Sequence, residues 1–484
     1  MEQQNIKGKV LSGLVWMFGE RISAQLVTFI VSIVLARLLE PSSYGAIAIV
    51  NIFIALANVF VVSGFGNSLI QKKDADDKDF SSVFYFNIVM GVIVYIIIFI
   101  SAPYIARFYD LQILCPALRV MGLRLIVAGI NSVQSAYVSR NMMFRRFFWS
   151  TLWGTIGSAV VGITMAYMGF GIWALVAQYM FNSVIDTLVL WFTVKWRPKL
   201  LFSFNRLKSL FSFGWKLLVS SLLDTGFNNL RSLVIGKMYT SADLAFYNKG
   251  KSFPNLVVVN INSSIQSVLF PVMADAQDKK DEVKAMVRRA IRISSYIMFP
   301  MMAGLALVAE PLIKLLLTEK WLSCVPYLQI SCFVFAFMPI HTANLQAIKA
   351  MGRSDIFLKL EIIKKIMGLA VLIAVMGYGV LAIALSSMAV TVVSAFINAY
   401  PNRKLLNYGY IEQIRDLFNG IVPLIVMSIA VLIVSFLNIG DFPLMILQTI
   451  VGMITYVAAS LLSKNDSFKY TLELVKNSLK GRKH

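Results

Sequence analysis

Five polar side chains share one face of a long, otherwise apolar segment in the middle of the chain. Steps of four and then three residues place them on the same side of a helix. They are Lys216, Ser220, Asp224, Asn228 and Arg231. Charges in a membrane segment are costly and usually face a wet interior, where a guanidinium can bind phosphate oxygens with paired donors. With two cations for one acid, the stripe predicts an anion-binding cavity, unless Asp224 merely neutralises Lys216 and Arg231.

Other apolar segments carry side chains that suit the same cavity. Arg124 is followed by amides on its own helical face, and a later segment offers a histidine and an amide at matching positions. The predicted substrate-binding residues are Glu20, Arg21, Arg119, Arg124, Asn131, Gln134, Lys216, Arg231, Lys249, Lys251, His341 and Asn344. A cationic cavity rich in amides and hydroxyls suits a sugar-like cargo that carries phosphate or pyrophosphate. These residues alone leave open whether the cargo is a lipid-linked sugar or another organic anion.

Two carboxylates are candidates for coupling transport to H⁺ or Na⁺. Asp186 and Asp224 stand in apolar segments, and a buried carboxylate takes up protons readily. Glu361 is expected instead to pair with Lys364 or Lys365, which follow it by three and four residues on a helix. The three cysteines and two histidines have no metal-ligand spacing. We therefore expect no metal, no other cofactor and no catalytic residue.

The composition assigns the chain to a membrane. Hydrophobic residues make up 58% of the 484 residues and charged residues only 14%, against roughly half and a quarter in soluble domains. The formal net charge of +21 would favour nucleic acid if the basic residues formed one patch on a soluble face. They lie instead in short loops between apolar segments, which is the pattern that orients membrane proteins. Nucleic acid is therefore not an expected partner.

Segments of about 20 mostly apolar residues, long enough to cross a bilayer as a helix, recur along the chain. They predict an all-α polytopic membrane protein with about fourteen transmembrane helices. The segments lie near residues 10–36, 43–69, 81–105, 113–138, 148–168, 171–194, 209–236, 243–272, 289–309, 322–348, 358–376, 379–400, 418–437 and 443–463. Polar interiors in several segments leave twelve or thirteen helices as alternatives.

An internal repeat organises these helices into two similar halves. The turn at Gly169 and Gly171 returns at Gly377 and Gly379, and other turns and loops recur in the same order about 200 residues apart. The predicted domains are a six-helix lobe at 1–200, a second six-helix lobe at 201–408, and two added helices with a basic tail at 409–484. Six helices return the chain to its starting side, so the lobes share one orientation and are expected to enclose a central cleft.

Basic residues predict how the chain is oriented in the membrane. Most Lys and Arg fall in alternate loops and in the tail, which carries Lys480, Arg482 and Lys483. Because loops rich in Lys and Arg stay on the cytoplasmic side, both termini are expected in the cytoplasm. A cleaved signal peptide is not expected, since Glu20 and Arg21 interrupt the first apolar run.

Short stretches spread over most of the chain resemble a known family. They are LARLLEPSSYG at 35–45, GFGNSLIQ at 64–71, VLFPV at 268–272, AQD at 276–278, FP at 299–300 and EKW at 319–321. Together they make the chain similar to the Wzx-type polysaccharide flippases of the multidrug/oligosaccharidyl-lipid/polysaccharide exporter superfamily. The resemblance is strongest to flippases that serve colanic-acid-like exopolysaccharides and teichuronic acid.

The resemblance implies two six-helix lobes, a V-shaped cavity and alternating access. Members of the family are thought to move undecaprenyl-diphosphate-linked repeat units from the cytoplasmic to the outer leaflet of the bacterial inner membrane. The implied partners are the lipid-linked glycan, membrane lipids and other glycan-assembly proteins. Because Glu20 adjoins Arg21, the first helix lacks an isolated acid, and the energy source stays open.

Other functions have weaker support. A cation-coupled drug exporter of the same superfamily would have a cavity with excess carboxylate and aromatics, whereas this cavity is predicted to have excess Lys and Arg. An acyltransferase would need a membrane-level histidine beside an acid, but His341 has Asn344 beside it, which favours a structural hydrogen bond. A polysaccharide polymerase would be expected to have a large external loop. A scaffold for glycan-assembly enzymes would leave the buried cations unexplained.

Overall fold

The fold is built from α-helices over the residues that the computed structural model describes, which are 23–62, 65–72 and 74–480. No strand occurs in those ranges, and the predicted all-α class is confirmed. The first helices are α1 (Ser23–Leu38), α2 (Pro41–Val62), α3 (Phe65–Gln71), α4 (Asp77–Phe108), α5 (Leu114–Arg140), α6 (Phe144–Tyr167), α7 (Ile172–Thr193) and α8 (Phe204–Met238). They continue with α9 (Ser241–Asp275), α10 (Lys280–Leu307), α11 (Ala309–Leu317), α12 (Val325–Ala336), α13 (Met338–Ala350), α14 (Ser354–Val375), α15 (Val380–Leu405), α16 (Tyr410–Leu417), α17 (Ile421–Ser435), α18 (Asp441–Leu462) and α19 (Asp466–Lys480).

The apolar segments form helices of membrane-spanning length. Eleven spans in the described chain are long and apolar enough to cross a bilayer, and two of them, Glu319–Ala350 and Tyr410–Ser435, consist of consecutive shorter helices. Three of the fourteen predicted spans are not among the eleven. The description of α1 begins only at Ser23, while α8 and α14 carry polar and charged residues along their length. The chain is therefore a multi-pass membrane protein, and the count of fourteen spans stays a prediction.

The repeated glycine pair forms two turns between helices. Gly169 and Gly171, with φ of 80° and 53°, join α6 to α7, and Gly379, with φ of 102°, precedes α15 in the turn after α14. Any other residue would be strained at these positive φ values, which glycine adopts without a steric penalty. The predicted turns are confirmed at both places.

Packing divides the chain into two compact units. The first unit ends at Ala245 and the second begins at Phe246. The long helix α8 belongs to the first unit, where Gly236 lies against Ile49 of α2. The predicted domains, with boundaries at 200 and 408, describe internal repetition and not packing, so they remain predictions.

Small residues let α4 and α5 approach closely within the first unit. A Cβ added to Gly129 of α5 would meet the carbonyl oxygen of Asn87 at 2.6 Å, and one added to Gly91 of α4 would meet that of Leu125 at 2.9 Å. The Asn87 side-chain amide also donates to Ser132 Oγ at 2.8 Å between the same helices. Such close backbone contact and interhelical hydrogen bonds drive helix association in lipid, where apolar burial contributes little.

Ion pairs at the start of α4 hold the start of α8, and we call this group the first clamp. Asp76 caps α4 by accepting a hydrogen bond from the Asp79 amide. The fully buried Asp79 side chain pairs with Lys72 at 2.7 Å and with Arg206 of α8 at 3.0 Å. Arg206 also reaches Asp76 at 3.0 Å. In this clamp the acids lie at the start of the long membrane helix α4. The base Arg206 lies on α8, whose start they hold.

The second unit contains a second clamp with the opposite arrangement of charge. Arg288 of α10 donates to both oxygens of Asp416 on the short helix α16, at 2.7 and 3.1 Å. Tyr408 donates to the same buried carboxylate at 2.9 Å. Lys284, one turn before Arg288, pairs with Glu412 of α16 at 3.0 Å. Here bases on the long helix hold acids on the short one.

Candidate functional site

A polar network links three helices inside the first unit. The Asp186 carboxylate of α7 accepts a hydrogen bond from the Asn131 amide of α5 at 2.9 Å and another from the Ser150 hydroxyl of α6. Asn131 itself accepts a hydrogen bond from Ser135 at 3.2 Å. Two predicted site residues, Asn131 and Asp186, are thus in direct contact. Polar groups within an apolar bundle are stable when they are satisfied in this way.

Arg124 extends this network along α5 and α7. Its Nε donates to Ser183 Oγ at 2.8 Å, and its guanidinium lies 5.6 Å from the ring centre of Tyr179. Tyr179 is hydrogen-bonded to Asn51 of α2. Arg124 of α5 is therefore held by two neighbours on α7, and Tyr179 connects α7 to α2.

The polar stripe of α8 is exposed over most of its length. Its members Lys216, Ser220, Asp224 and Asn228 are all exposed. Asn228 donates to Asp224 at 3.3 Å. The exposed part of the stripe therefore presents two charged and two uncharged polar side chains.

Arg231 is the partly buried end of the stripe. Its Nε and Nη2 atoms are shielded from solvent and have no hydrogen-bond partner among the described residues. Leaving a buried donor unpaired costs about 1–3 kcal/mol, and more for a charged group. Two donors on one edge of a guanidinium match a pair of phosphate or carboxylate oxygens. The geometry of Arg231 is therefore suited to a bidentate anion.

Three other predicted cations lie in different surroundings. Arg119 donates to the Phe99 carbonyl at 3.4 Å and lies 4.1 Å from the centre of the Phe99 ring. In the second unit, Lys249 lies 5.7 Å from the ring centre of Trp321, and Lys251 is exposed. An aromatic face attracts a cation, so Arg119 and Lys249 contribute to packing in their own units.

Two predicted amides are packed into the protein and offer a ligand almost no surface. Gln134 is fully buried and donates to the Trp196 carbonyl at 3.3 Å. Asn344 is also buried; it accepts a hydrogen bond from Asn402 at 2.7 Å and donates to Gln413 at 3.1 Å. In this conformation both amides hold helices and loops together.

His341 has a structural hydrogen bond, but its partner differs from the expected one. Its Nδ1 lies 3.0 Å from the side-chain nitrogen of Asn398 on α15. Asn344, which the sequence placed beside it on the same helix face, contacts other residues. The contact crosses between helices, which periodicity along one helix does not reveal.

Two predicted residues, Glu20 and Arg21, lie outside the described residues, so their part in the cavity stays a prediction. The reading of the sequence also missed several partners that the structure brings together. They are Asn51, Ser150, Tyr179 and Ser183. In the sequence each of them is a hydroxyl or amide within an apolar segment, as are many other residues. Only the packing of α2, α5, α6 and α7 brings these four into contact with the predicted site residues.

One end of the first unit is closed by tight contacts of the turn between α8 and α9. A Cβ added to Gly45 of α2 would stand 1.6 Å from the Ser241 carbonyl oxygen. Lys237 pairs with Asp110 at 3.0 Å, and its ammonium lies 5.0 Å from the ring centre of Phe108. This is the end predicted to face away from the cytoplasm.

Comparisons with known proteins agree on one kind of protein. Residues 34–326 match the family described as "Polysaccharide biosynthesis protein". The teichuronic acid biosynthesis protein TuaB of Bacillus subtilis is 23% identical over 435 residues, 89% of either chain. The lipopolysaccharide biosynthesis protein WzxC of Escherichia coli is 23% identical over 424 residues, 86% of this chain and 85% of its own. The succinoglycan biosynthesis transport protein ExoT of Rhizobium meliloti is 23% identical over 466 residues, 93% and 92% of the two chains.

Solved structures share the fold of this chain. The lipid II flippase MurJ, in an inward closed conformation, matches with a TM-score of 0.76 at 13% identity, over 94% of this chain and 99% of that one. An inward-facing multidrug resistance MATE family transporter of the MOP superfamily matches with a TM-score of 0.60 at 16% identity, over 80% and 98%. At such low identity the likeness is one of fold.

Proposed function

The chain belongs to the polysaccharide biosynthesis protein family, and we propose that it is a flippase for lipid-linked oligosaccharides. Its cargo would be repeat units joined to undecaprenyl diphosphate, moved from the inner to the outer leaflet for export of surface or extracellular polysaccharide. The names of the relatives concern polysaccharide biosynthesis and transport, and a lipid II flippase shares the fold. Both observations support this cargo class.

The observation that carries the proposal is the pair of unpartnered donors on Arg231. A guanidinium with two shielded, unpaired nitrogens is ready to receive two oxygens of a diphosphate without first breaking bonds within the protein. A drug exporter for organic cations would not be served by such a group, because like charges repel. The exposed Lys216 on the same face of α8 would extend the cationic surface.

Other predicted residues would bind different parts of the cargo. Arg124 would stabilise negative charge from a fixed position, because Ser183 and Tyr179 hold its guanidinium. Exposed amides and hydroxyls of the α8 stripe, such as Asn228 and Ser220, would bind sugar hydroxyls. A set of individually weak contacts suits a transporter, because the protein must also release the cargo.

The mechanism that we propose is alternating access. The diphosphate and sugars enter a cationic cleft from the cytoplasmic side while the polyprenyl tail stays in lipid. Rocking of the two lobes then opens the cleft to the other leaflet. The chain would lie in a bacterial cytoplasmic membrane with both termini in the cytoplasm and other glycan-assembly proteins as partners. Coupling to H⁺ or Na⁺ through Asp186 or Asp224 is part of the same hypothesis.

Translocation of a fluorescent lipid-diphosphate oligosaccharide in proteoliposomes tests this function. We expect Arg231→Ala to slow translocation about tenfold, equivalent to ~1.4 kcal/mol, and Arg124→Ala plus Arg231→Ala to slow it further. Arg231→Lys should recover part of the rate, because charge returns without the paired donors. The matched control is Lys208→Ala, which removes an exposed cation near the start of the same helix.

Two outcomes would contradict the proposal. An Arg231→Ala protein that is folded and moves the probe at the wild-type rate would show that the arginine is structural. A wild-type protein that moves no diphosphate-linked glycan but expels soluble organic cations would favour the cation-coupled exporter.

A further inference from the structure

An apolar pocket of about 560 Å³ lies within the second unit, between α10, α12, α15 and α16. Its walls are almost entirely carbon, with Phe299 and Met302 from α10, Phe333 from α12 and Phe396 from α15. The volume falls within the ~300–1,000 Å³ typical of small-molecule sites. None of the predicted substrate-binding residues that the structure describes lines it.

The short helix α16 forms one wall of the pocket with a single face. Residues of that face are spaced by three and four positions, namely Tyr410, Gln413, Ile414 and Leu417. The helix is held in place from its other side by the second clamp, in which Arg288 binds the buried Asp416. Because α16 is fixed in this way, the pocket exists before any ligand arrives.

The pocket-lining face of α15 ends in a cation. Its apolar members follow helical spacing from Val392 through Ala395 and Phe396 to Ala399, and the next position on that face, four residues further, is Arg403. The Phe396 ring of the same face lies 5.8 Å from the Tyr410 ring, centre to centre, so the start of α16 lies beside this face. The apolar stripe and the cation are thus parts of one continuous surface.

Two more bases lie on the same helices, away from the pocket-lining faces. Lys404 and Arg415 are exposed, as is Arg403, and none of the three forms an ion pair with a carboxylate in the described chain. Carbon-lined space next to an unpaired cation and a tyrosine hydroxyl matches an amphiphile with one apolar chain and an anionic head. Basic pockets between membrane helices bind anionic lipid head groups for the same reason.

We propose that this pocket binds one acyl chain of an anionic diacyl phospholipid, with the lipid phosphate at Arg403. The bound chain bridges α10, α15 and α16 and is distinct from the oligosaccharide cargo. The charge of Arg403 selects an anionic head over a zwitterionic one. The inference does not depend on the proposed transport activity.

The test is lipid binding to the purified full chain, measured by native mass spectrometry with phosphatidylglycerol and with phosphatidylcholine of the same acyl chains. We expect the wild-type protein to retain one phosphatidylglycerol with at least about tenfold preference over phosphatidylcholine. Ala395→Phe, which fills the pocket, should weaken phosphatidylglycerol binding about tenfold or more. Its control is Val393→Phe, a neighbouring exposed position on α15, which should leave binding unchanged.

A second variant separates head-group recognition from chain burial. Arg403→Gln should abolish most of the preference for phosphatidylglycerol while leaving phosphatidylcholine binding unchanged, and Arg403→Lys should restore part of the preference. Lys404→Gln removes an adjacent charge that is not on the pocket face and is the control. Arg403 is exposed, so this pair of variants remains informative if Ala395→Phe does not fold.

Three results would overturn the proposal. One is equal retention of the two phospholipids by the wild-type protein, and another is undiminished phosphatidylglycerol binding by a folded Ala395→Phe variant. The third is displacement of bound phosphatidylglycerol by undecaprenyl phosphate at a much lower concentration than by phosphatidylglycerol itself, which would assign the pocket to a polyprenyl chain.

Discussion

Asn131 donates a hydrogen bond of 2.9 Å to Asp186 and so connects α5 to α7. Ser150 of α6 donates to the other oxygen of the same carboxylate. Asp224, the second ion-coupling candidate, is exposed on α8 and accepts from Asn228 of its own helix. The hydrogen bonds of Asp186 join α7 to α5 and α6, whereas the bond from Asn228 to Asp224 stays within α8, so removal of the two acids should affect the protein differently.

We predict that Asp186→Ala lowers the free energy of unfolding by about 2 kcal/mol, because it leaves polar partners without an acceptor. Asp224→Ala should change it by less than about 0.5 kcal/mol. Denaturation of the purified protein in detergent measures both, and Asp186→Asn, which can keep part of the network, should lie between them. Equal losses for the two alanine variants would show that the hydrogen bonds of Asp186 contribute little.

The second clamp should show strong energetic coupling between Arg288 and Asp416. The bidentate contact, with bonds of 2.7 and 3.1 Å to a buried carboxylate, predicts a coupling energy of about 1–3 kcal/mol in a double-mutant cycle of alanine substitutions. The control is the pair Arg353 and Asp355, also bidentate at 2.9 Å but with both side chains about half exposed. Exposed pairs are screened by water, so the coupling energy of Arg353 and Asp355 should be clearly smaller than that of Arg288 and Asp416. Similar values in the two cycles would contradict this difference.

Gly45 should be required for closure of the end formed by α2 and the turn between α8 and α9. Its added Cβ would stand 1.6 Å from the Ser241 carbonyl oxygen, so Gly45→Ala must push the two apart. We expect a cysteine placed at Thr240 to react with a water-soluble maleimide at least about threefold faster in the Gly45→Ala background, as closed conformations lose population.

Gly66→Ala is the matched control for this experiment, because a Cβ there would meet no atom of the described residues within 4 Å. It should leave the labelling rate at Thr240→Cys unchanged. If Gly45→Ala also leaves the rate unchanged in a folded protein, the contact at Ser241 does not govern access to this turn.

Acid should remove the contribution of the α4 cap. The hydrogen bond from the Asp79 amide, followed by the nearby Arg206 guanidinium, lowers the pKa of Asp76 below its ordinary 3.8. A lowered pKa in the folded state means that this stabilisation is present above the ordinary pKa and is lost as pH falls through the lowered one. At pH 7, Asp76→Ala should cost about 1 kcal/mol, and the difference from wild type should shrink towards about pH 3. Asp74→Ala, an exposed neighbour outside the cap, should have no such pH dependence.

Much of the fold could be predicted because long apolar segments admit few structures in a membrane. The turns at Gly171 and Gly379 were predictable from a repeated pair of glycines, and both have positive φ. The pairing of helices was not predictable. Gln134 shares its helix with Arg124 but is buried and donates to the Trp196 carbonyl, because α5 packs beside the segment that follows α7.

The candidate site could also be predicted only within single helices and not across them. A polar stripe such as that of α8 follows from helical spacing, and Asn228 and Asp224 lie together as that spacing requires. Nε and Nη2 of Arg231 have no partner among the described residues, whereas Nε of Arg124 donates to Ser183. This difference depends on which helices pack against each arginine. Contacts between helices are set by packing across the whole unit, which one sequence does not specify.

The opposite charge arrangement of the two clamps has a consequence for how the chain assembles. In the first clamp acids of α4 hold Arg206, and in the second Arg288 and Lys284 hold acids of α16. Had α16 met the start of α4, carboxylate would face carboxylate, and Arg206 against α10 would set guanidinium against guanidinium. In a chain predicted to contain two similar halves, each amphipathic segment is thus repelled by the wrong half. The sign of charge therefore distinguishes the correct partner of each clamp from the wrong one.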